Sequence, residues 1–198
     1  MEQGAKRIPL SKGLFAWVSA EDYERVSKYK WHANLCRYKG KSNYYARAWV
    51  PVQEDGLSTA SLHHKGYPLR HVLLHRFILK LPAGVRCDHE DLDRMNCTRS
   101  NLRPATNAQN MSNQMERGNS GFKGVHRAHD GRYQAAIGNG GPPKHLGRFS
   151  TAEQAAKVYD DAARARFGKF ARLNFPRDGE LPARQIKVRR ALRKMEAQ

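Results

Sequence analysis

The sequence predicts an α+β fold in two units, the second a three-stranded antiparallel sheet packed on one helix. Three observations predict it. A small polar break stands at Arg117 Gly118 Asn119 Ser120 Gly121, short β-branched and aromatic runs closed by turn formers lie on both sides of it, and an alanine-rich helical repeat follows late in the chain. At 198 residues there is room for two units with modest cores. The expected division is residues 1–117, with a core about 70–115, then 121–176, then a basic tail at 177–198.

Taken in order, Leu14 to Val18 and Tyr44 to Val50 read as strands, the second beyond a Lys39 Gly40 Lys41 turn. Between them Ser19 is placed to cap a short helix with Asp22 at its third position and Tyr23 and Val26 on one face. Residues 53–67 are polar and contain glycine, a loop closed by Pro68. The apolar stretch Val72 to Leu79 fits a strand or a helix equally well by periodicity. Thr106 with Gln109 forms a capping box that starts a helix carrying Asn110 and Asn113 on one face.

Beyond the break, Phe122 to Phe149 holds three short strands separated by Asp130 Gly131 and by Gly138 to Pro143. Ser150 with Glu153 reads as a second capping box. Ala152, Ala155, Ala156, Tyr159, Ala162 and Ala163 recur at helical spacing, and Gly168 provides the stop. The tail from Leu181 to Met195 reads as a basic helix, docked on the protein or laid along a polyanion.

The formal charge is +18, and each of the three segments is basic on its own, so the expected partner is a polyanion, with nucleic acid foremost. No apolar run approaches the ~20 residues of a membrane span. The best stretch, Val72 to Leu81, is broken by His75, Arg76 and Lys80, and the N-terminus has no apolar core after its positive residues. A soluble intracellular protein is expected, with no membrane contact. Cys36, Cys87 and Cys97 cannot all pair and none sits in a Cys-x-x-Cys pair, so free thiols are expected and zinc is not.

The sharpest signal is Val85 to Asn113, VRCDHEDLDRMNCTRSNLRPATNAQNMSN. Asp88 and His89 are adjacent, Asn101 lies 12 residues after His89, and Asn110 lies 21 after it. This pattern resembles the HNH endonuclease superfamily in the His-Asn-Asn variant of phage and intron homing endonucleases, whose fold is the ββα-metal motif. The residue types suit the chemistry. Phosphodiester cleavage needs a base for water, and an imidazole titrates near neutrality, so His89 can accept the proton. Asp88 and the amide oxygen of Asn110 could hold one hard divalent cation, Mg²⁺ or Mn²⁺. The resemblance assigns those same roles and makes Asn101 the residue that ties the loop between them.

The sequence departs from the family in that loop, where Glu90 to Cys97 replaces the usual Asn-Gly-Asp type turn. Its acidic cluster, Glu90, Asp91 and Asp93, reads as a solvated loop or as rival metal ligands. Upstream, His75 and Arg76 resemble the His-Arg pair that often precedes the motif, with His75 orienting the core, contacting phosphate or simply buried. His63, His64 and His71 have no partner at ligand spacing and receive no role.

Residues 121–176 carry Lys123 Gly124 Val125, Leu146 Gly147 Arg148 Phe149, Thr151 to Ala156, Tyr159 Asp160 and Leu173 Asn174 Phe175 Pro176. They look like the APETALA and ethylene-response-factor type domain of plant transcription factors, which sets a three-stranded sheet in the DNA major groove. Matching positions make Lys123, His126, Arg127, Arg132 and His145 the expected DNA contacts, with Lys144 and Arg148 close by. His126 and His145 stand where plant members have Arg or Trp, so the plant target sequence does not carry over.

Together these readings give a metal-dependent, site-recognising endonuclease of double-stranded DNA, homing-type, carried by a phage or mobile element and acting in bacterial or phage-infected cytoplasm. No obligate protein partner is evident. The competing class is a DNA-binding transcription regulator that keeps the HNH portion as a scaffold. RNA binding ranks third, since neither half has the aromatic signature of an RNA-binding sheet.

Overall fold

The computed structural model describes residues 2–38, 41–51, 69–82, 84–115, 120–138 and 141–183. The Lys39–Lys41 turn, the 53–67 loop, the 117–121 break and the basic tail fall wholly or largely outside the described residues. The chain forms two compact units, Met1–Thr106 and Asn107–Gln198.

In the first unit, β1 (Lys6–Pro9) pairs with β2 (Phe15–Val18), which runs parallel to the two-residue β7 (Asn96–Cys97). A second sheet joins β3 (His32–Tyr38), β4 (Lys41–Pro51) and β5 (Leu69–Leu73), all antiparallel. Alternation along β4 buries Ala46, Ala48 and Val50 and leaves Tyr45, Arg47 and Trp49 on the other face. Ile8, Val18, Val26, Trp31, Phe77 and Leu102 join the buried side in one core.

The ambiguous apolar stretch resolves as both alternatives. Its first residues complete β5, and α2 (Leu74–Leu79) begins at once and ends at Lys80, which takes a left-handed conformation. Antiparallel β6 (Arg86–His89) and β8 (Leu102–Ala105) then form a hairpin whose register sets Asp88 opposite Arg103 and His89 opposite Leu102.

The expected Ser19 cap is corrected. Ser19 does precede α1 (Ala20–Ser27), but its side chain makes no cap bond. Its hydroxyl instead accepts the Arg99 amide at 2.8 Å, a distant partner that local spacing cannot reveal.

The second unit opens on α3 (Asn107–Ser112). Antiparallel β9 (Val125–Arg127), β10 (Tyr133–Ile137) and β11 (Lys144–Phe149) follow, then α4 (Ala152–Phe167) and a short parallel pair of β12 (Arg172–Leu173) with β13 (Leu181–Pro182). Val125 and Ala135 pack on Ala152, Ala155 and Ala156, small side chains that let the helix lie close on the sheet. The expected Ser150 cap moves one residue. Thr151 accepts the Gln154 amide at 3.2 Å, while Ser150 bonds the Gln154 side chain instead. Among the described residues no helix is long and apolar enough to cross a membrane.

Candidate active site

The β6–β8 hairpin brings Asp88 and His89 to its end, both buried, at 2% and 6% exposure. Arg103, across the register from Asp88, donates Nε to the Asp88 carboxylate at 2.9 Å and a terminal nitrogen to Glu90 at 3.2 Å. Hairpin register thus lays a cation beside a carboxylate that burial alone would leave uncompensated.

Asn101 closes the intervening loop at both ends. Its side-chain amide donates to the Asn96 carbonyl at 2.7 Å, its amide oxygen accepts the Asp91 N–H at 2.9 Å, and its own carbonyl accepts the Glu90 N–H. The acidic cluster is largely spent within this loop. Asp91 accepts from the Asp93 N–H and the Asn96 side chain, and Asp93 accepts from the Met95 N–H. Among the described residues no group of three or more His, Cys, Asp and Glu could hold a metal ion.

His89 meets His75 of α2 edge to face, ring centres 5.1 Å apart, and its Nε2 lies 4.0 Å from the Cys97 sulfur. Desolvation, then the charge of Arg94, lowers the His89 pKa to about 4. Desolvation, then His89, Arg76 and Arg94, lowers that of His75 to about 3. Both rings are therefore neutral near pH 7, the form in which an imidazole can take a proton. Burial pushes the Cys87 thiol up to about 12 and Cys97 upward as well, so neither is prepared to act as a thiolate ligand.

Arg76 is spent on structure: it donates to the carbonyls of Leu81, Pro82 and Val85, fixing the turn into β6. Sequence reasoning missed a second support. The Trp17 amide bonds the Met95 carbonyl at 2.8 Å, and Arg99 grips Asp22 of α1 with bonds of 2.7 and 3.0 Å. The N-terminal sheet and helix thereby hold the 90–101 loop, a long-range arrangement with no local signal.

Asn110 is half-buried on α3, within the second unit. Asn113 follows α3 and is fully buried; its side-chain and backbone oxygens both accept Arg172 Nε at 2.8 Å. Of the expected contacts of the second unit, His126, Arg127, Arg132, Lys144, His145 and Arg148 are exposed. Register sets His126, Gln134 and Arg148 in one row on the face opposite α4, with His145 beside Ala136 on that face. Arg127 and Lys144 share the parity of the helix-facing residues. Lys123 is partly buried, and its ammonium donates to the Ser112 carbonyl.

The uncharacterized HNH endonuclease L560 of Acanthamoeba polyphaga mimivirus is 36% identical over 169 residues, 82% of this chain and 76% of that protein. This chain belongs to the HNH endonuclease family. The dehydration-responsive element-binding protein 2A of Arabidopsis thaliana is 48% identical over 58 residues, 28% of this chain, and its namesake of Oryza sativa subsp. japonica is 44% identical over 62 residues. The chain spans only 17% and 23% of those plant proteins. No family model matches the chain. The relatives bear out both resemblances read from the motifs: an HNH family member with a shorter segment similar to the plant DNA-binding proteins.

Proposed function

We propose that the chain is a metal-dependent DNA endonuclease in which Asp88 and His89 of the first unit carry the cleavage chemistry and the sheet of the second unit holds duplex DNA. The observation that carries this is the pair at the end of β6: a neutral, buried His89 beside an Asp88 carboxylate locked by Arg103. In this reading His89 takes the proton of a water whose oxygen bonds to phosphorus. The P–O3′ bond breaks, and the 3′ oxygen leaves to gain a proton from solvent.

The ligands of a hard cation are carried over from the motif as a proposal. Asp88 would offer carboxylate oxygen and Asn110 an amide oxygen, donor types that suit Mg²⁺ or Mn²⁺ better than zinc. When bound, such an ion offsets charge on the scissile phosphate and the departing oxygen. With so few protein ligands, DNA phosphate and water would complete its shell. Recognition is assigned to the outer row of the β9–β11 sheet, and the motif resemblance supports reading the enzyme as site-recognising and homing-type.

The depth of His89 favours a second reading, in which the hairpin is only a scaffold for a DNA-binding regulator. Nicking of supercoiled plasmid with Mg²⁺ or Mn²⁺ decides between them. His89→Ala is expected to abolish metal-dependent nicking, which EDTA also stops in the parent, while DNA affinity stays within about five-fold, because the base acts in the transition state more than in binding. Full activity in His89→Ala sinks the assignment.

A further inference from the structure

Among the described residues, a cation close to His89 has no acid partner and has no task in the proposed cleavage. Arg94 stands in the turn before β7 and is half-buried. Its Nε donates to the Tyr45 hydroxyl at 2.5 Å, a terminal nitrogen donates to the Asn43 side-chain oxygen at 3.1 Å, and its guanidinium carbon lies 5.4 Å from the Tyr45 ring centre. Both anchors project from the β4 face that does not carry Ala46 and Ala48. They are neutral acceptors, which orient a guanidinium without cancelling its charge.

Among the described residues no carboxylate pairs with Arg94. Asp91 and Asp93, its neighbours in sequence, accept hydrogen bonds within the loop instead. From Tyr45 the contacts run to the base: Tyr45 meets His75 at 5.8 Å between ring centres, and His75 meets His89 at 5.1 Å. On the other side the Arg94 carbonyl accepts from the Cys97 thiol, whose sulfur lies 4.0 Å from His89 Nε2. An oriented guanidinium with no carboxylate partner among the described residues, linked to His89 through Tyr45 and His75 on one side and Cys97 on the other, is a place made for an anion.

We propose that Arg94 is a phosphate clamp of this site, its guanidinium holding a non-bridging oxygen of the scissile phosphate while Tyr45 and Asn43 act as positioning residues. The clamp rests on the nuclease reading. It deepens that reading by naming the group that meets the charge growing on the phosphate as water attacks.

Single-turnover nicking of supercoiled plasmid by the full chain tests it. R94A is expected to lose about 10²- to 10³-fold in rate at saturation, as removal of one preorganised donor does elsewhere, with half-saturation moved far less. R94K is expected to recover part of the loss. Added guanidinium is expected to recover part of the R94A activity and none of the H89A activity. Y45F keeps the ring and removes the anchor, and should lose roughly ten-fold through misplacement of the clamp.

Nicking by R94A at close to the parent rate overturns the clamp. So does a loss that guanidinium leaves untouched, because a collapsed loop keeps no cavity of that shape. If the parent leaves the plasmid intact, the nuclease reading is what fails, and the clamp is then read from binding. H89A and H89A/R94A are compared on a short duplex: salt dependence shallower by about one ion in the double variant upholds the phosphate contact, and equal slopes overturn it.

Discussion

A methyl group at position 124 would sit 1.9 Å from Cδ2 of Tyr159, on backbone with φ of +73°. Both facts demand glycine there. The close approach lets Tyr159 of α4 pass over the strand entry, and Asn174 then ties the same point by accepting the Lys123 amide and donating to its carbonyl. Asp160 completes the knot by accepting the Asn174 and Phe175 amides at 2.9 and 2.7 Å. Gly124→Ala is therefore expected to destabilise the second unit by roughly 3 kcal/mol, through overpacking and left-handed strain together. Denaturant unfolding read from that unit's signal checks it, and a loss under ~0.5 kcal/mol would show that Tyr159 moves aside freely. The strings Lys123 Gly124 Val125 and Leu173 Asn174 Phe175 Pro176 carried the resemblance in the sequence. That they bond to each other was not legible, because their partnership spans 51 residues. The same limit hid Asn113, which spacing placed on the metal-facing side of a helix and folding commits to Arg172.

At the scale of elements, local signals served where the cause is local. The Ala repeat and Gly168 gave α4, and Asp130 Gly131 gave the β9–β10 turn. They were mute where the cause is a distant partner: β7 is two residues long and exists because β2 lies alongside. The site depends on such contacts, since α2 supplies His75 to wall off His89. That wall has a pH signature. Burial, then His89 and neighbouring arginines, lowers His75 to about 3 from an ordinary value of 6.5. The unfolded chain thus binds a proton at His75 between those limits while the folded chain does not. Stability is full above pH 6.5 and falls as pH drops through the window, with a slope approaching ~1.4 kcal/mol per pH unit for this group. His75→Phe keeps an aromatic wall and removes the titration, so its unfolding free energy should vary less between pH 7 and pH 4.5. An unchanged slope in that variant would place the acid sensitivity elsewhere.

Across the whole molecule the net charge of +18 would draw any polyanion, and charge alone does not say which surface meets it. Strand register does discriminate. Arg148 lies with His126 and Gln134 on the face turned away from α4, exposed Arg132 precedes β10 with the same parity, and Lys144, of the other parity, is exposed at the start of β11. Lys157 is equally exposed but belongs to α4, on the opposite side of the unit. If the sheet enters the groove, each phosphate contact releases counterions, and the logarithm of affinity against that of salt steepens by about 0.9 per contact. Arg132→Ala, Lys144→Ala and Arg148→Ala together are expected to make that slope shallower by up to ~2.7, whereas Lys157→Ala leaves it unchanged. The Arg148–Asp130 pair, 3.4 Å apart and half exposed, offers little resistance, since such surface pairs contribute about 0–1 kcal/mol. Because Asp88 and His89 belong to the other unit, nicking at saturating protein should persist in the triple variant while half-saturation shifts to higher concentration. Titrations of a duplex at several salt concentrations read the slope, and plasmid nicking reads the rate. A slope change per charge removed that is the same for Lys157→Ala as for the sheet triple would mean that the unit binds through bulk charge with no preferred face, and the groove-reading role of the sheet would fall.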